Sequence, residues 1–161
     1  MTRRFIAYGA VLLLLAVLQE ESAFRLTLWG VKPDLLLVFV VVATLQEGMV
    51  GGGASALVAA WFQAASTGIA VGSTIVSKAV SSLACAHVEP HVVRENCLTC
   101  MPVAFLATWL CEGIFFFFYP RVWSARWPAQ VGLESLLNAL LAPVIYAPIV
   151  FLSRGKENKA L

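Results

Sequence analysis

The feature that most limits how this chain can fold is its long uncharged stretches. No Asp, Glu, Lys or Arg occurs from Phe5 to Leu18, Leu35 to Leu45, Gly48 to Ser77, Met101 to Cys111 or Ser135 to Ser153. A helix needs ~20 apolar residues to cross a bilayer core, and several of these stretches reach that length with their neutral flanks. Charged residues make up 12% of the 161 residues and hydrophobic ones 60%. A soluble domain carries about twice that share of charge, so a water-facing surface could not be covered. The expected fold class is therefore all-α: an integral membrane protein forming one polytopic domain over residues 1–161. The net charge is +2. With no long basic run, no basic patch interleaved with aromatics and no phosphate-cradling loop, the sequence gives no case for a nucleic-acid partner.

Six spans are predicted, at about 5–18, 33–46, 50–65, 71–86, 97–119 and 133–152, with a polar tail at 154–161. Arg3 and Arg4 before an apolar run resemble a signal peptide, but Gln19, Glu20 and Glu21 stand where small cleavage-site residues belong. The first segment is read as a true span. Phe24, Leu26, Leu28 and Trp29 suit an amphipathic interfacial piece. Pro33 suits the first turn of the second span and Asp34 its positive dipole end. Trp123 and Trp127 suit a headgroup-level connector. With six spans, Arg3, Arg4, Arg94, Arg154, Lys156 and Lys159 share one side, against Arg25, Lys32, Arg121 and Arg126 on the other. That bias places both termini in the cytoplasm. One long helix plus a re-entrant piece, in place of spans three and four, would give five spans and an external C-terminus.

Every fourth residue from 48 to 72 is small: Gly48, Gly52, Ala56, Ala60, Ala64, Gly68 and Gly72. Helices in lipid associate through close backbone approach, which such spacing permits. A row spaced four apart drifts ~40° per step, so it cannot form one face along its whole length. A turn is expected at Glu47 and Gly48, and a break near Ser66-Thr67-Gly68, with Gly68 and Gly72 flanking a short loop. Gly48, Gly52, Ala56, Ala60 and Ala64 are candidates either for packing within the bundle or for a partner interface.

Lys78 and Glu112 lie inside predicted spans. Charges there are costly and usually paired, so a Lys78–Glu112 ion pair is expected. Gln63 and Asn138 are expected to hydrogen-bond between helices. His87, His91, Cys97 and Cys100 are zinc-ligand types at close range, but the usual order and long middle spacing are absent. They are read as polar loop residues and reduced thiols, with Cys85 and Cys111 as packing residues. No catalytic constellation, metal site or cofactor site is expected.

Three stretches together resemble one family. Lys32-Pro33-Asp34, followed by an apolar run, is similar to the opening of the second span in the rod-shape-determining protein MreD family. Gln63 to Gly72, with Ser66, Thr67, Gly68 and Gly72, resembles that family's stretch after the third span. Leu137-Asn138 through Pro143 to Tyr146 resembles its last span. Ala64 stands where the family often has an acid, and neither the His/Cys cluster nor the double-Trp connector matches.

The resemblance implies a non-enzymatic inner-membrane scaffold of the bacterial cell-elongation machinery. Its implied partners are MreC, RodA and a class-B penicillin-binding transpeptidase, with MreB linked indirectly and lipid all round. It also implies a fold similar to the six-helix substrate-binding subunit of energy-coupling-factor transporters. From that similarity comes the alternative function, binding a small vitamin-like solute for a transporter. A membrane-embedded enzyme using Glu112 is the least favoured reading.

Overall fold

The computed structural model describes residues 2–20, 30–68, 70–91, 97–120 and 126–154. The proposed interfacial piece at Phe24, Leu26, Leu28 and Trp29, the connector residue Trp123 and the tail beyond Arg154 lie outside them. Among the described residues five α-helices follow one another: α1 (Thr2–Glu20), α2 (Leu35–Thr67), α3 (Val71–Val88), α4 (Cys100–Phe118) and α5 (Trp127–Arg154), with short 3₁₀ turns at Glu89–His91 and Cys97–Thr99. Among the described residues, four segments are by length and composition apolar enough to cross a membrane: Leu35–Ser66, Val71–Val88, Cys97–Phe118 and Trp127–Val150. Ile6–Glu20 is a shorter apolar helix.

α2 is not one straight rod. At Gly48 the backbone leaves helical geometry (φ 70°, ψ −164°), a region that glycine enters and side chains disfavour. The chain reverses there. Gln63 Nε2 comes within 3.5 Å of Asp34 Oδ2, whereas 29 residues of straight helix would separate these residues by about 43 Å. The turn expected at Glu47-Gly48 therefore joins two arms, 35–47 and 49–67. The first arm is about 20 Å long at 1.5 Å per residue.

That first arm is the centre of the bundle. From Leu36 to Leu45 no residue is more than 2% exposed. A helix apolar on every side belongs inside, and packing outweighs the modest helix propensity of its Val-rich run. Asp34 caps it, Oδ1 accepting the Leu37 N–H at 2.9 Å, which satisfies one of the unpaired amides of the first turn. The sequence placed Pro33 in that first turn; Pro33 instead lies just before the cap and is buried.

The other elements pack around this arm. α1 presents Leu12 and Leu15 inward, and its two ends are fastened by Tyr8 Oη donating to Glu47 Oε1 (3.0 Å) and Gln19 Oε1 accepting from Leu36 N–H (3.2 Å). α2 ends at Gly68, in the left-handed region with its N–H on Ala64 O, a common helix C-terminus. The break expected near Ser66-Thr67-Gly68 is thus where α2 stops. Gly72 does not flank the loop as expected, because α3 has already begun at Val71. α5 begins earlier than the sequence suggested. Trp127 opens the helix and meets the Trp109 ring edge-on at 6.3 Å.

The outer surface is apolar. Val50 is 84% exposed, Phe117 79%, and Trp61, Leu106, Leu140 and Val144 more than 60%. Polar residues lie inside: Thr44, Ser77, Lys78, Ser81, Ser82, Thr108, Ser135 and Asn138 are 1% exposed or less. Apolar outside and polar inside is the arrangement stable in lipid, where the tails are as apolar as leucine.

Candidate functional site

Residues from four helical elements meet at one polar node. Its centre is the Asp34 carboxylate at the start of α2. Oδ1 is used by the helix cap. Oδ2 accepts Lys78 Nζ from α3 at 2.5 Å, and Gln63 Nε2 from the second arm of α2 lies on the same oxygen at 3.5 Å. The Asp34 backbone N–H donates to Asn138 Oδ1 of α5 at 2.9 Å. Asn138 Nδ2 donates in turn to Thr108 Oγ1 of α4 at 3.0 Å, and that hydroxyl donates to Ala104 O at 2.8 Å.

The node explains how a lysine is held in the bundle. Lys78 is 1% exposed and its carboxylate partner 12%. A buried ammonium is tolerated when it is paired and its partner carries further hydrogen bonds. Asp34 meets that need, since the helix-cap amide shares its charge. The expected Lys78–Glu112 pair is therefore corrected. Lys78 pairs with Asp34, more than forty residues earlier in the chain, because the reversal of α2 and the packing of α3 bring the cap to the lysine. Glu112 is half-buried on α4.

Below the node a second polar line joins α2 and α3. Thr44 Oγ1 donates to Val40 O (2.7 Å) and lies 3.0 Å from Ser82 Oγ. The buried face of α3 is Ser73, Thr74, Ser77, Lys78, Ser81, Ser82 and Cys85. Sequence reasoning missed this stripe and took only its lysine. The signal was present: positions 73, 77 and 81, and 74, 78 and 82, repeat at helical spacing. Thr108 was also missed, since one Thr in an apolar helix carries no pattern.

The small residues divide. Gly48 makes the reversal. Gly52, Ala56, Ala60 and Ala64 are buried, and they face into the bundle. A Cβ placed on Gly52 would stand 2.6 Å from Thr44 Cβ and 2.8 Å from Thr44 Cα, so the two arms touch backbone to side chain there. Of the remaining family-like positions, Lys32 is exposed, Gly68 ends α2 and Gly72 is exposed on the first turn of α3. Pro143 is half-buried within α5, and Tyr146 is 6% exposed in the core.

His87 is exposed at the end of α3, and His91 closes the 3₁₀ turn after it. Cys97 is exposed, Cys100 is buried with its thiol on Cys97 O, and Cys85 and Cys111 are buried; all four are free thiols. Among the described residues no group of three or more His, Cys, Asp or Glu is placed to hold a metal.

The fold, the apolar exterior and the enclosed polar node define an all-helical membrane protein. No family model matches the chain, and neither a curated protein nor a solved structure matches it.

Proposed function

We propose that the protein is a non-enzymatic scaffold subunit of the MreD type, crossing the bacterial inner membrane six times. In this reading it holds MreC and, through it, the RodA and transpeptidase synthases, with MreB linked indirectly. One observation carries the proposal. Asp34, Gln63 and Asn138, one from each of the three stretches that resemble the family, come together at a single node. Separate motifs that converge in space form one structural unit, which is what a shared fold requires and coincidence does not. The paired helix ends support α1 and the first arm of α2 running antiparallel, as six crossings need: Gln19 beside Leu36 at one end of α1, Tyr8 beside Glu47 at the other. With the reversal at Gly48, α1 and the two arms of α2 alternate in direction, as the first three of six crossings would.

The scaffold reading is preferred to solute binding because the polar groups at the node are engaged with one another. Lys78, Asp34, Asn138 and Thr108 form a continuous chain of bonds. A solute pocket needs convergent polar groups turned toward a cavity.

Affinity isolation from native membranes in mild detergent tests the proposal. MreC is expected to accompany the protein in fixed ratio, and removal of the gene is expected to turn rod-shaped cells round. Isolation of a solitary protein from cells that keep their form without it would refute the reading, as would stoichiometric capture of a vitamin-like solute. The six-crossing topology is tested separately with single cysteines at Arg126 and Lys156. Impermeant maleimide applied to intact spheroplasts is expected to label position 126 and spare 156. Labelling of position 156 with 126 spared would favour five crossings and an external C-terminus.

A further inference from the structure

Two thiols share one turn at the start of α4. Cys97 opens the 3₁₀ turn Cys97–Thr99, and Cys100 is the first residue of α4. Thr99, between them, has φ −70° and ψ −19°, which continues the 3₁₀ geometry. Such a turn repeats every three residues with a rise of ~2.0 Å each. Residues 97 and 100 therefore lie on one side, with Cα atoms about 6 Å apart, inside the ~4.4–6.8 Å that a disulfide spans. The two thiols differ in access. Cys97 is exposed, while Cys100 is 1% exposed and donates its thiol to Cys97 O. Glu89, His91, Arg94, Glu95 and Asn96 precede the pair in the chain, and charge of that density belongs at a water-facing edge. Packing accounts for Cys100 but not for Cys97, since an exposed thiol fills no space in the core.

We propose that Cys97 and Cys100 form a reversible dithiol–disulfide site, oxidised by a low-molecular-weight disulfide such as oxidised glutathione. The Cys97 thiol gives its proton to water, and the thiolate attacks one sulfur of the small disulfide. The bond between the two small-molecule sulfurs breaks, and one leaves as a thiolate that takes up a proton. Cys100 then loses its proton and attacks Cys97 Sγ, which releases the second small thiol. Two protein thiols and one small disulfide become one protein disulfide and two small thiols, so two electrons and two protons leave the protein. The exposed thiol opens the exchange and the covered one resolves it, the order that access dictates. Closing the bond draws the Cβ atoms to about 4 Å and takes Cys100 Sγ off Cys97 O. The turn packs on α4 and α5, so its tightening is felt by both helices. Metal binding is the rival use of two thiols, but among the described residues no third ligand joins them. Cys85 and Cys111 are buried on α3 and α4, out of reach of a small disulfide. The site stands independently of the scaffold reading. That reading adds only that it faces the cytoplasm, where disulfides are transient or sense oxidation.

The test equilibrates the full-length protein in membrane vesicles with glutathione buffers of falling reduced-to-oxidised ratio. After an acid quench and denaturation, the remaining thiols are alkylated and each cysteine is read by peptide mass spectrometry. Cys97 and Cys100 are expected to disappear together, in one peptide lighter by two hydrogens, and to return on addition of dithiothreitol. Cys85 and Cys111 are expected to stay alkylatable throughout. Cys100→Ala should stop at the mixed disulfide between Cys97 and glutathione, at least tenfold more abundant than in the unaltered protein. Cys97→Ser should leave Cys100 reduced. If neither variant accumulates, the joined peptide of the unaltered protein decides the matter. A free Cys97 in excess oxidised glutathione would overturn the proposal. So would a mixed disulfide at Cys97 as abundant with Cys100 present as without it, or a disulfide joining Cys97 to a second copy. None of these outcomes depends on MreC, whose presence or absence bears on the scaffold reading alone.

Discussion

Replacing Gly52 with alanine is expected to destabilise the protein by about 1–3 kcal/mol, and with leucine to prevent the bundle from forming. The added Cβ would stand 2.8 Å from Thr44 Cα, and backbone cannot swing aside as the end of a flexible side chain can. The neighbouring glycine is the control. A Cβ on Gly53 meets nothing within 4 Å, so Gly53→Ala should be neutral or stabilise by about 0.5–1 kcal/mol, as glycine-to-alanine changes do in helices. Thermal unfolding of the detergent-solubilised protein, followed by loss of the monodisperse peak, would measure both. Equal effects at 52 and 53 would mean that the arms of α2 do not meet at Thr44. The experiment also separates two uses of a small-residue row. A row that packs inside the protein loses folding when enlarged, and a row that meets a partner loses only the partner.

Lys78→Met is expected to cost about 3–5 kcal/mol, because removing one member of a buried pair leaves the other charge uncompensated. Asp34→Asn should cost a similar amount by stranding an ammonium that is 1% exposed; asparagine still caps the helix well, so cap loss would not account for the effect. Combining the two changes should recover a large part of the loss, giving a coupling of about 1–3 kcal/mol between the positions. Glu112→Gln should cost clearly less than Asp34→Asn and show little coupling to Lys78→Met. If Glu112 proved the strongly coupled position, the pairing described above would be wrong. A double-mutant cycle read by thermal unfolding in one detergent supplies every value needed.

Much of the helix layout was legible in the sequence. Uncharged apolar runs set where helices lie, since bilayer thickness demands them. Gly48 and Gly68 were legible as breaks because only a residue without a side chain enters those backbone regions cheaply. Asp34 was legible as a helix start, since a carboxylate suits unpaired amides. The ends were less so. Trp127 looked like a connector residue but opens α5, where packing on Trp109 extends the helix past the point at which hydropathy falls.

The site was legible in its members and not in its pairing. Lys78, Asp34, Gln63 and Asn138 each stood out as a polar residue in or beside an apolar run. Sequence neighbourhood suggested Glu112 as the partner of Lys78 because both occupy adjacent spans. Which carboxylate reaches an ammonium depends on the rotation of each helix about its axis and on how far one slides past another. Those quantities are set by packing among elements remote in sequence.

Composition and hydropathy alone therefore determined that the chain is helical, that it belongs in a bilayer, and roughly where it turns, because these follow from local costs of exposing charge or backbone to lipid. Only the tertiary structure decided that Gly52 faces Thr44, that Asp34 holds Lys78, and that the row Gly52, Ala56 and Ala60 is buried. Those outcomes hang on a single rotational register. A helix turns 100° per residue, so a shift of one position carries a side chain from the core to the lipid, and no local property of the chain chooses between them.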